Sequence, residues 1–399
     1  MKKIAIIGFG VVGSGVYEII RKNKNLLTKN SFSEIDVKRI LDIRDFSSHE
    51  ESHLFTKNFD DILNDAEIEI VVETMGGVKF AYEYTKALLE SGKSVVTSNK
   101  ELVSKHGDEF FAISEKNNVR YLYEASVGGG IPVIKPLACD IAANEVIEIS
   151  GILNGTTNYI LTKMLHENES FESALKTAQE LGYAEKDPTA DVEGIDACRK
   201  ISILMSLVTG CKVDAESINT VGISSLTPQD FTYASCVGCT IKLIASGFIE
   251  NGRINASVEP TLVPKNHPLS IIEDVFNGVC VNANMADTLL FYGRGAGKLP
   301  TASAVMADVI DIVRNPDYAP QFSWSTAPAQ TINYEDIEAK FLVRVSADKV
   351  DLVRAEFGDI EIIKGIDDYG FISPMMKICE LNERIEKIGG AISRMRFMR

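Results

Sequence analysis

The apolar run Lys3–Ile7, followed at once by Gly8-Phe9-Gly10-Val11-Val12-Gly13, restricts the fold of this chain more than any other segment. Lys3–Ile7 predicts a short strand, and Val11–Arg21 repeats its apolar residues at helical spacing. A G-x-G-x-x-G string alone carries little weight. Between a strand and a helix it is the context of a Rossmann-type dinucleotide-binding fold, because glycines let backbone N–H groups and the helix N-terminus approach a pyrophosphate. A tight strand–helix turn without ligand is the competing reading. Lys2-Lys3 before an apolar run also imitates a secretory leader, but the glycine spacing and the charges that follow fit the dinucleotide reading better.

The next segments continue the pattern. Asp36–Ile43 reads as a second strand, ending in Leu41-Asp42-Ile43-Arg44-Asp45. An acid there binds the ribose hydroxyls of NAD, whereas an arginine suits the 2′-phosphate of NADP; both residue types are present. Glu67–Glu73 gives another strand, with Thr74-Met75-Gly76-Gly77 at the end where doubly wound sheets bind ligands. Ser94–Thr97 ends in Ser98-Asn99-Lys100, and a lysine so placed is a candidate for chemistry or a plain surface residue opening a helix. Arg120–Tyr123 leads into Glu124-Ala-Ser-Val127-Gly-Gly129-Gly-Ile131-Pro132. Its glycines free carbonyls to converge, Glu124 could add a carboxylate oxygen, and oxygen-only ligation favours a hard cation; a crossover between domains is the alternative.

From about Pro136 the pattern predicts a second α/β domain. Val146–Leu153 is a strand running into Asn154-Gly155-Thr156-Thr157-Asn158, then a helix to about His166. Donors in that loop suit a small carboxylate. Ala178–Lys200 holds the densest set of ionisable groups beside a stretch that must be buried, Ile201–Val208. Asp187-Pro188 is a helix start signal, Gly194 interrupts, and a longer helix is expected from about Ile195 to Thr209. On one straight helix Asp191 and Lys200 would point to opposite sides; a break at Gly194 lets Asp191 swing toward Lys200, while Asp196 and Lys200, four apart, share a face. A solvated turn with an ordinary ion pair is the bland alternative. It is disfavoured because charges at the mouth of a buried helix are costly unless paired or used.

Strands are expected at Ile254–Val263, Gly278–Ala283 and Thr288–Tyr292, with a helix rich in small residues near Ala234–Ser246. Gly293-Arg-Gly-Ala-Gly297 precedes Pro300 and a helix from Thr301 to Val313, a second glycine-rich loop or a hinge that crosses between domains. After a linker with Pro316, Pro320 and Pro328, the order Lys340–Ser346 (strand), Val350–Glu356 (helix), Ile360–Ile363 and Phe371–Met376 (strands), Leu381–Ile388 (helix) and a final strand predicts βαββαβ. The domains are thus expected at 1–135, completed by about 299–325, at 136–298 and at 338–399.

A formal charge of −15 argues against a nucleic-acid or acidic-membrane partner. No stretch reaches the roughly 20 apolar residues of a membrane span. Seven cysteines, an odd number in no regular framework, suit a reducing cytoplasm. Cys236-Val-Gly-Cys239 lacks a second pair, and His49-Glu-Glu-Ser-His53 matches H-E-x-x-H with polar flanks, so neither predicts zinc.

The pattern Ala178, Gly182, Tyr183, Asp187-Pro188, Asp191, Gly194, Asp196 and Lys200 resembles the signature of homoserine dehydrogenases. The resemblance extends over nearly all of residues 1–330 and, more loosely, 338–399, where the element order resembles an ACT domain. It implies NAD(P)H-dependent interconversion of L-aspartate 4-semialdehyde and L-homoserine, on the route to threonine, methionine and isoleucine. It implies a cofactor site at Gly8, Phe9, Gly10, Val11, Val12, Gly13, Arg44, Thr74, Met75, Gly76, Thr97, Ser98, Lys100 and Gly297, with Arg44 pointing to NADP. A substrate pocket would comprise Gly155, Thr156, Tyr183, Glu185, Asp191, Asp196 and Lys200. A monovalent cation, usually sodium, would be bound through Glu124, Val127, Gly129 and Ile131, and the subunits would pair as a homodimer or homotetramer. The C-terminal module would be the place of an amino-acid effector, although Asp348-Lys-Val replaces the usual Asp-x-Pro-Gly turn.

Hydride delivery to an aldehyde makes an alkoxide that must be protonated as it forms. A lysine ammonium, with a reference pKa of about 10.4, carries that proton at neutral pH. Lys100 and Lys200 are the expected pair, with Asp191 orienting a lysine and Glu185 meeting the substrate ammonium. Two rivals remain. An aldehyde-oxidising dehydrogenase needs a nucleophilic cysteine with a base beside it, and none of the seven is so placed. A non-catalytic regulator sensing nicotinamide or amino acids has no use for Lys100, Asp191 and Lys200 together.

Overall fold

The structure, a computed structural model, describes residues 1–316, 322–365 and 367–399. It divides into two compact units: Met1–Glu145 with Ser202–Ala215 and Phe291–Ala329, and Val146–Ile201 with Glu216–Leu290 and Gln330–Arg399. No helix among the described residues is long and apolar enough to cross a membrane.

The first unit is built on six parallel strands, β1 (Lys2–Ile7), β2 (Ile35–Leu41), β3 (Phe55–Thr56), β4 (Ile68–Glu73), β5 (Ser94–Thr97) and β6 (Tyr121–Leu122). Their order is β3-β2-β1-β4-β5-β6, so the chain changes direction across the sheet between β1 and β4. Ligands of open α/β sheets bind outside the strand ends at that switch. The register brings those ends level: Ile7 stands opposite Leu41 on one side and Glu73 on the other, and Glu73 stands opposite Thr97. β1 and β4 are buried along most of their length because helices cover the sheet. Among these helices are α1 (Val11–Lys22), α2 (Lys100–Lys116) and the helix Lys298–Arg314. Gly15 of α1 packs so tightly on that last helix that an added Cβ would lie 2.7 Å from the Lys298 carbonyl oxygen.

The second unit is organised by a sheet containing β7 (Val146–Ile152), β8 (Cys239–Glu250), β9 (Arg253–Pro264) and β10 (Phe276–Ala283). β7 is antiparallel to both β8 and β10. β8 and β9 pair over twelve positions and turn at Asn251-Gly252, whose φ angles of 51° and 74° are the left-handed values a two-residue hairpin demands. α3 (Gly155–Glu167), with the single turn α4 (Thr189–Val192) on it, lies against the sheet; α5 (Ile195–Thr209) follows, and α6 (Pro228–Cys236) also packs on the sheet. The contact division falls within α5, between Ile201 and Ser202.

The sheet continues through the C-terminal residues, β11 (Phe341–Ser346), β12 (Ile362–Lys364), β13 (Asp368–Ile372) and β14 (Ser393–Phe397), in the order β9-β14-β11-β13-β12. With helices Val350–Phe357 and Ile378–Lys387 the chain order is βαββαβ. These residues do not form a third compact unit. β14 runs parallel beside β9, Phe248 of β8 belongs to the same apolar cluster as Phe341, Phe371 and Leu381, and a buried ion network ties the two parts. In that network Arg344 reaches Asp230 at 2.6 Å and Asp368 at 2.5 Å, Ser393 Oγ donates to Asp230, and Tyr233 Oη donates to Asp368.

Two expectations need correction. The helix near Ala234–Ser246 ends at Cys236, and Cys239–Glu250 is a strand. Gly238, with φ at 71°, stops the helix, and burial on both faces removes the polar–apolar alternation that marks a strand in sequence. The boundary expected near Pro136 falls at Val146, because Pro136–Asp140 is wound as a short helix that stays with the first unit.

Candidate active site

The glycine loop is shaped by close approach of its own backbone. Gly8 has φ at 88°, and an added Cβ would lie 3.0 Å from the Thr74 carbonyl. A Cβ on Gly13 would be driven into the Gly8 carbonyl oxygen. Thr74 fixes the loop from the far side, donating its hydroxyl to Gly8 O at 2.7 Å. α1 starts without a side-chain cap at Gly10, so its first N–H groups are left for a ligand. This is a cradle a dinucleotide pyrophosphate fits. Gly13→Ala is expected to weaken binding of reduced nicotinamide dinucleotide about tenfold or more, as overpacking of this size costs ~1–3 kcal/mol; titration of nicotinamide fluorescence measures it.

Next to the loop, Asp42 Oδ2 accepts from Phe9 N at 2.7 Å, and the Arg44 guanidinium forks onto the same carboxylate at 2.8 and 2.9 Å. The Arg44 fork holds this carboxyl below the usual range against the effect of burial. The acid and the arginine seen in the sequence are therefore one paired unit. Thr74, Met75 and Gly76 follow β4, and Thr97 and Ser98 close β5. Asn99 caps α2 by accepting from Leu102 N, and Lys100, half-buried, is the first residue of that helix. Gly297, exposed with φ at 125°, precedes the helix Lys298–Arg314.

The Glu124–Ile131 loop has left-handed Gly128 and Gly129, at φ 75° and 56°. The Glu124 carboxylate is engaged by main-chain donors: its oxygens accept from Val133 N, Ile134 N and Lys135 N at 2.7, 2.9 and 2.8 Å. Asp308 accepts from Glu124 N at 2.9 Å, and burial next to that acid pushes the Asp308 carboxyl up. No cluster of three His, Cys, Asp or Glu side chains with metal-binding geometry occurs among the described residues. What the loop offers is oxygen, a donor set that suits a hard cation rather than a soft transition metal.

In the second unit the break at Gly194 does what the spacing predicts. α4 stops, Gly194 adopts φ at 79° against Thr220 and Val258, and α5 begins at Ile195. Lys200, 7% exposed, places Nζ 2.7 Å from Asp196 Oδ2 and donates to Leu153 O at 2.6 Å. Asn154 draws both acids into the cluster: its Nδ2 donates to Asp191 Oδ1 at 2.7 Å and to Asp196 Oδ2 at 3.0 Å, while its Oδ1 caps α3 at Thr157 N. Thr156 Oγ1 donates to the Tyr183 carbonyl, and Tyr183 packs edge-on against Tyr159. Gly155 opens α3 where a Cβ would meet the Val275 carbonyl at 2.8 Å. Glu185 is exposed, and its carbonyl accepts from Gln179.

Asp196, expected to share a face with Lys200, is seated on it, and Asp191 joins the cluster through Asn154. Sequence reasoning passed over Asn154, although its position at the head of the Asn-Gly-Thr-Thr-Asn loop, where a helix cap belongs, was the signal available.

The sequence model of the homoserine dehydrogenase family matches residues 132–310, and that of the homoserine dehydrogenase NAD-binding domain matches residues 8–124. A homoserine dehydrogenase of Bacillus subtilis is 38% identical over 317 residues, 78% of this chain and 73% of the relative. One of Mycobacterium leprae is 39% identical over 380 residues, covering 90% and 84%. Among solved structures, a homoserine dehydrogenase from Thiobacillus denitrificans superimposes with a TM-score of 0.92 at 34% identity, covering 100% of this chain and 98% of that one. A hyperthermophilic archaeal homoserine dehydrogenase in complex with NADPH gives 0.66 at 28% identity, covering 78% and 97%.

Proposed function

The chain belongs to the homoserine dehydrogenase family, and from that premise we propose how its own residues carry the reaction. The enzyme is an NAD(P)-dependent oxidoreductase that interconverts L-aspartate 4-semialdehyde and L-homoserine. Bound, the reduced nicotinamide supplies a hydride to the aldehyde carbon. Lys200 and Lys100 share the duty that follows, polarising the carbonyl oxygen and delivering a proton to it as it becomes an alkoxide. The observation that carries this reading is the setting of Lys200: a buried ammonium held at Nζ by Asp196 and the Leu153 carbonyl at the head of an apolar helix. An ammonium so fixed keeps its proton aimed without a solvent shell to rearrange.

Asp191, joined to Asp196 through Asn154, keeps the lysine aligned. Gly155, Thr156 and Tyr183 line the pocket for the amino-acid end of the substrate, and Glu185 meets its ammonium. The loop residues Gly8, Phe9, Gly10, Val11, Val12 and Gly13, with Thr74, Met75, Gly76, Thr97, Ser98 and Gly297, hold the dinucleotide. Arg44 favours NADP by leaving Asp42 for a 2′-phosphate. Main-chain oxygens of Glu124, Val127, Gly129 and Ile131 would hold a monovalent cation such as sodium, which would brace the loop. We also propose a homodimer or homotetramer, a cytoplasmic setting, and the C-terminal module as the place where an amino-acid effector would act.

The test is absorbance of NADH and of NADPH, separately, after addition of L-aspartate 4-semialdehyde. Consumption of either supports the reading, and the ratio of rates gives cofactor preference. A flat trace with both would favour a non-catalytic sensor.

A further inference from the structure

Glu73 has no part in the chemistry above, yet it closes β4 at the level where Ile7 and Thr97 end their strands. It is fully buried. Its two hydrogen bonds come from uncharged donors, Thr97 Oγ1 to Oε2 at 2.5 Å and Met75 N to Oε1 at 2.7 Å. A buried acid held only by neutral donors is costly, and an apolar residue at the end of a buried strand would avoid that cost. Its bonds show what the acid provides there.

Those bonds belong to a closed ring. Thr97 Oγ1, while donating to Glu73, accepts from Asn99 N at 2.9 Å. Asn99 caps α2 through Leu102 N at 3.1 Å and sends its Nδ2 back to the Gly77 carbonyl at 2.7 Å. From Gly77 the chain returns through the loop to Met75 and so to Glu73. The ring therefore joins the loop after β4 to the start of α2, where Lys100 is the next residue after Asn99. A carboxylate, an acceptor at both oxygens, takes the Thr97 hydroxyl and Met75 N at once and strengthens both bonds with its charge.

We propose that Glu73 is the positioning residue that locks the dinucleotide-facing loop Thr74–Gly77 and the start of α2 into one piece, so that a single buried carboxylate sets both the grip on the cofactor and the placement of Lys100. This rests on the reading of those two segments given above. Protonation weakens the ring, because the charge that strengthens its two bonds is lost and the Thr97 hydroxyl has to turn round to accept from Glu73. Burial pushes the Glu73 carboxyl up to about 7, partly offset by the Thr97 and Met75 bonds. Tyr121 on β6 faces its charge: the buried Tyr121 hydroxyl is raised by burial and by Glu73. Activity should rise with pH through this titration.

The test uses the full-length enzyme with Glu73→Gln, which keeps shape but offers one acceptor, and with Thr97→Val. Affinity for reduced cofactor is read by nicotinamide fluorescence, kcat and kcat/KM are followed across the neutral range, and thermal midpoints are recorded. Glu73→Gln should bind cofactor about tenfold more weakly, the worth of one lost hydrogen bond to a charged acceptor. It should lose the acid limb of the pH profile and keep or raise its thermal midpoint. The double variant should be no worse than the poorer single one, since both break the same link. Unchanged affinity, kcat and pH profile in Glu73→Gln would overturn the proposal. So would a loss of activity that only tracks lost folded protein while the acid limb stays. A wild-type enzyme that consumes neither cofactor would instead count against the function itself.

Discussion

Lys200→Met is expected to lower kcat by about 10²–10⁴-fold, the usual contribution of a positioned general acid. The loss should appear in kcat and kcat/KM alike, because the proton is needed only as the alkoxide forms. Lys200→Arg should not rescue it: a guanidinium is too weak an acid at neutral pH and too broad for a place held by Asp196 Oδ2 and the Leu153 carbonyl. The substitution also leaves Asp196, 4% exposed, without this cation, at a stability cost on the order of 3 kcal/mol. Lys200→Met/Asp196→Asn should regain most of that stability and none of the turnover, which separates chemistry from folding. Lys100→Met, at a half-buried helix start, should lose turnover with little change in stability. Initial rates of NAD(P)H absorbance with denaturant titrations decide the matter. If both methionine variants turned over like wild type, the two lysines would have no part in proton delivery.

The second large effect is structural. Arg344→Met should destabilise the protein by about 3–5 kcal/mol, because it strips Asp230 and Asp368 of a shared buried guanidinium. Burial works to raise the Asp368 carboxyl, but the Tyr233 and Arg344 bonds outweigh it and hold the group below its usual range. A depressed carboxylate contributes stability above its unfolded pKa of about 3.9 and loses that contribution as pH falls through the folded value. The gap between wild type and Arg344→Met should therefore be widest near neutrality and narrow below about pH 4. Urea midpoints at several pH values measure it. Replacing Arg344, Asp230 and Asp368 together by apolar residues of similar volume should cost far less than removing the arginine alone.

These residues also show where the sequence was legible. β1, the glycine loop and α1 stand where spacing put them, since a strand, a tight turn and a helix each leave a local mark. The Gly194 break and the extent of α5 were equally readable, from one glycine and an apolar run. β8 was not: Thr240, Ile241, Lys242, Leu243 and Ile244 are all buried, so no two-residue alternation survived. Lys242 sits inside the sheet with its ammonium on the Ile272 carbonyl, a placement no local rule anticipates. Asn154, Glu73 and Arg344 were missed for a different reason. Their importance lies in partners 24 to 114 positions away, and a single sequence does not display such pairings.

The seating of β14 against β9 bears on how the gene can be handled. Main-chain bonds tie the last residues to an inner strand, with Met398 N donating to Leu262 O at 2.9 Å. Clipping the tail would bare the edges of β9 and β11 that β14 fills, edges that other copies could add to, so a shortened product should precipitate rather than persist as a lighter enzyme. An affinity handle belongs at the other terminus.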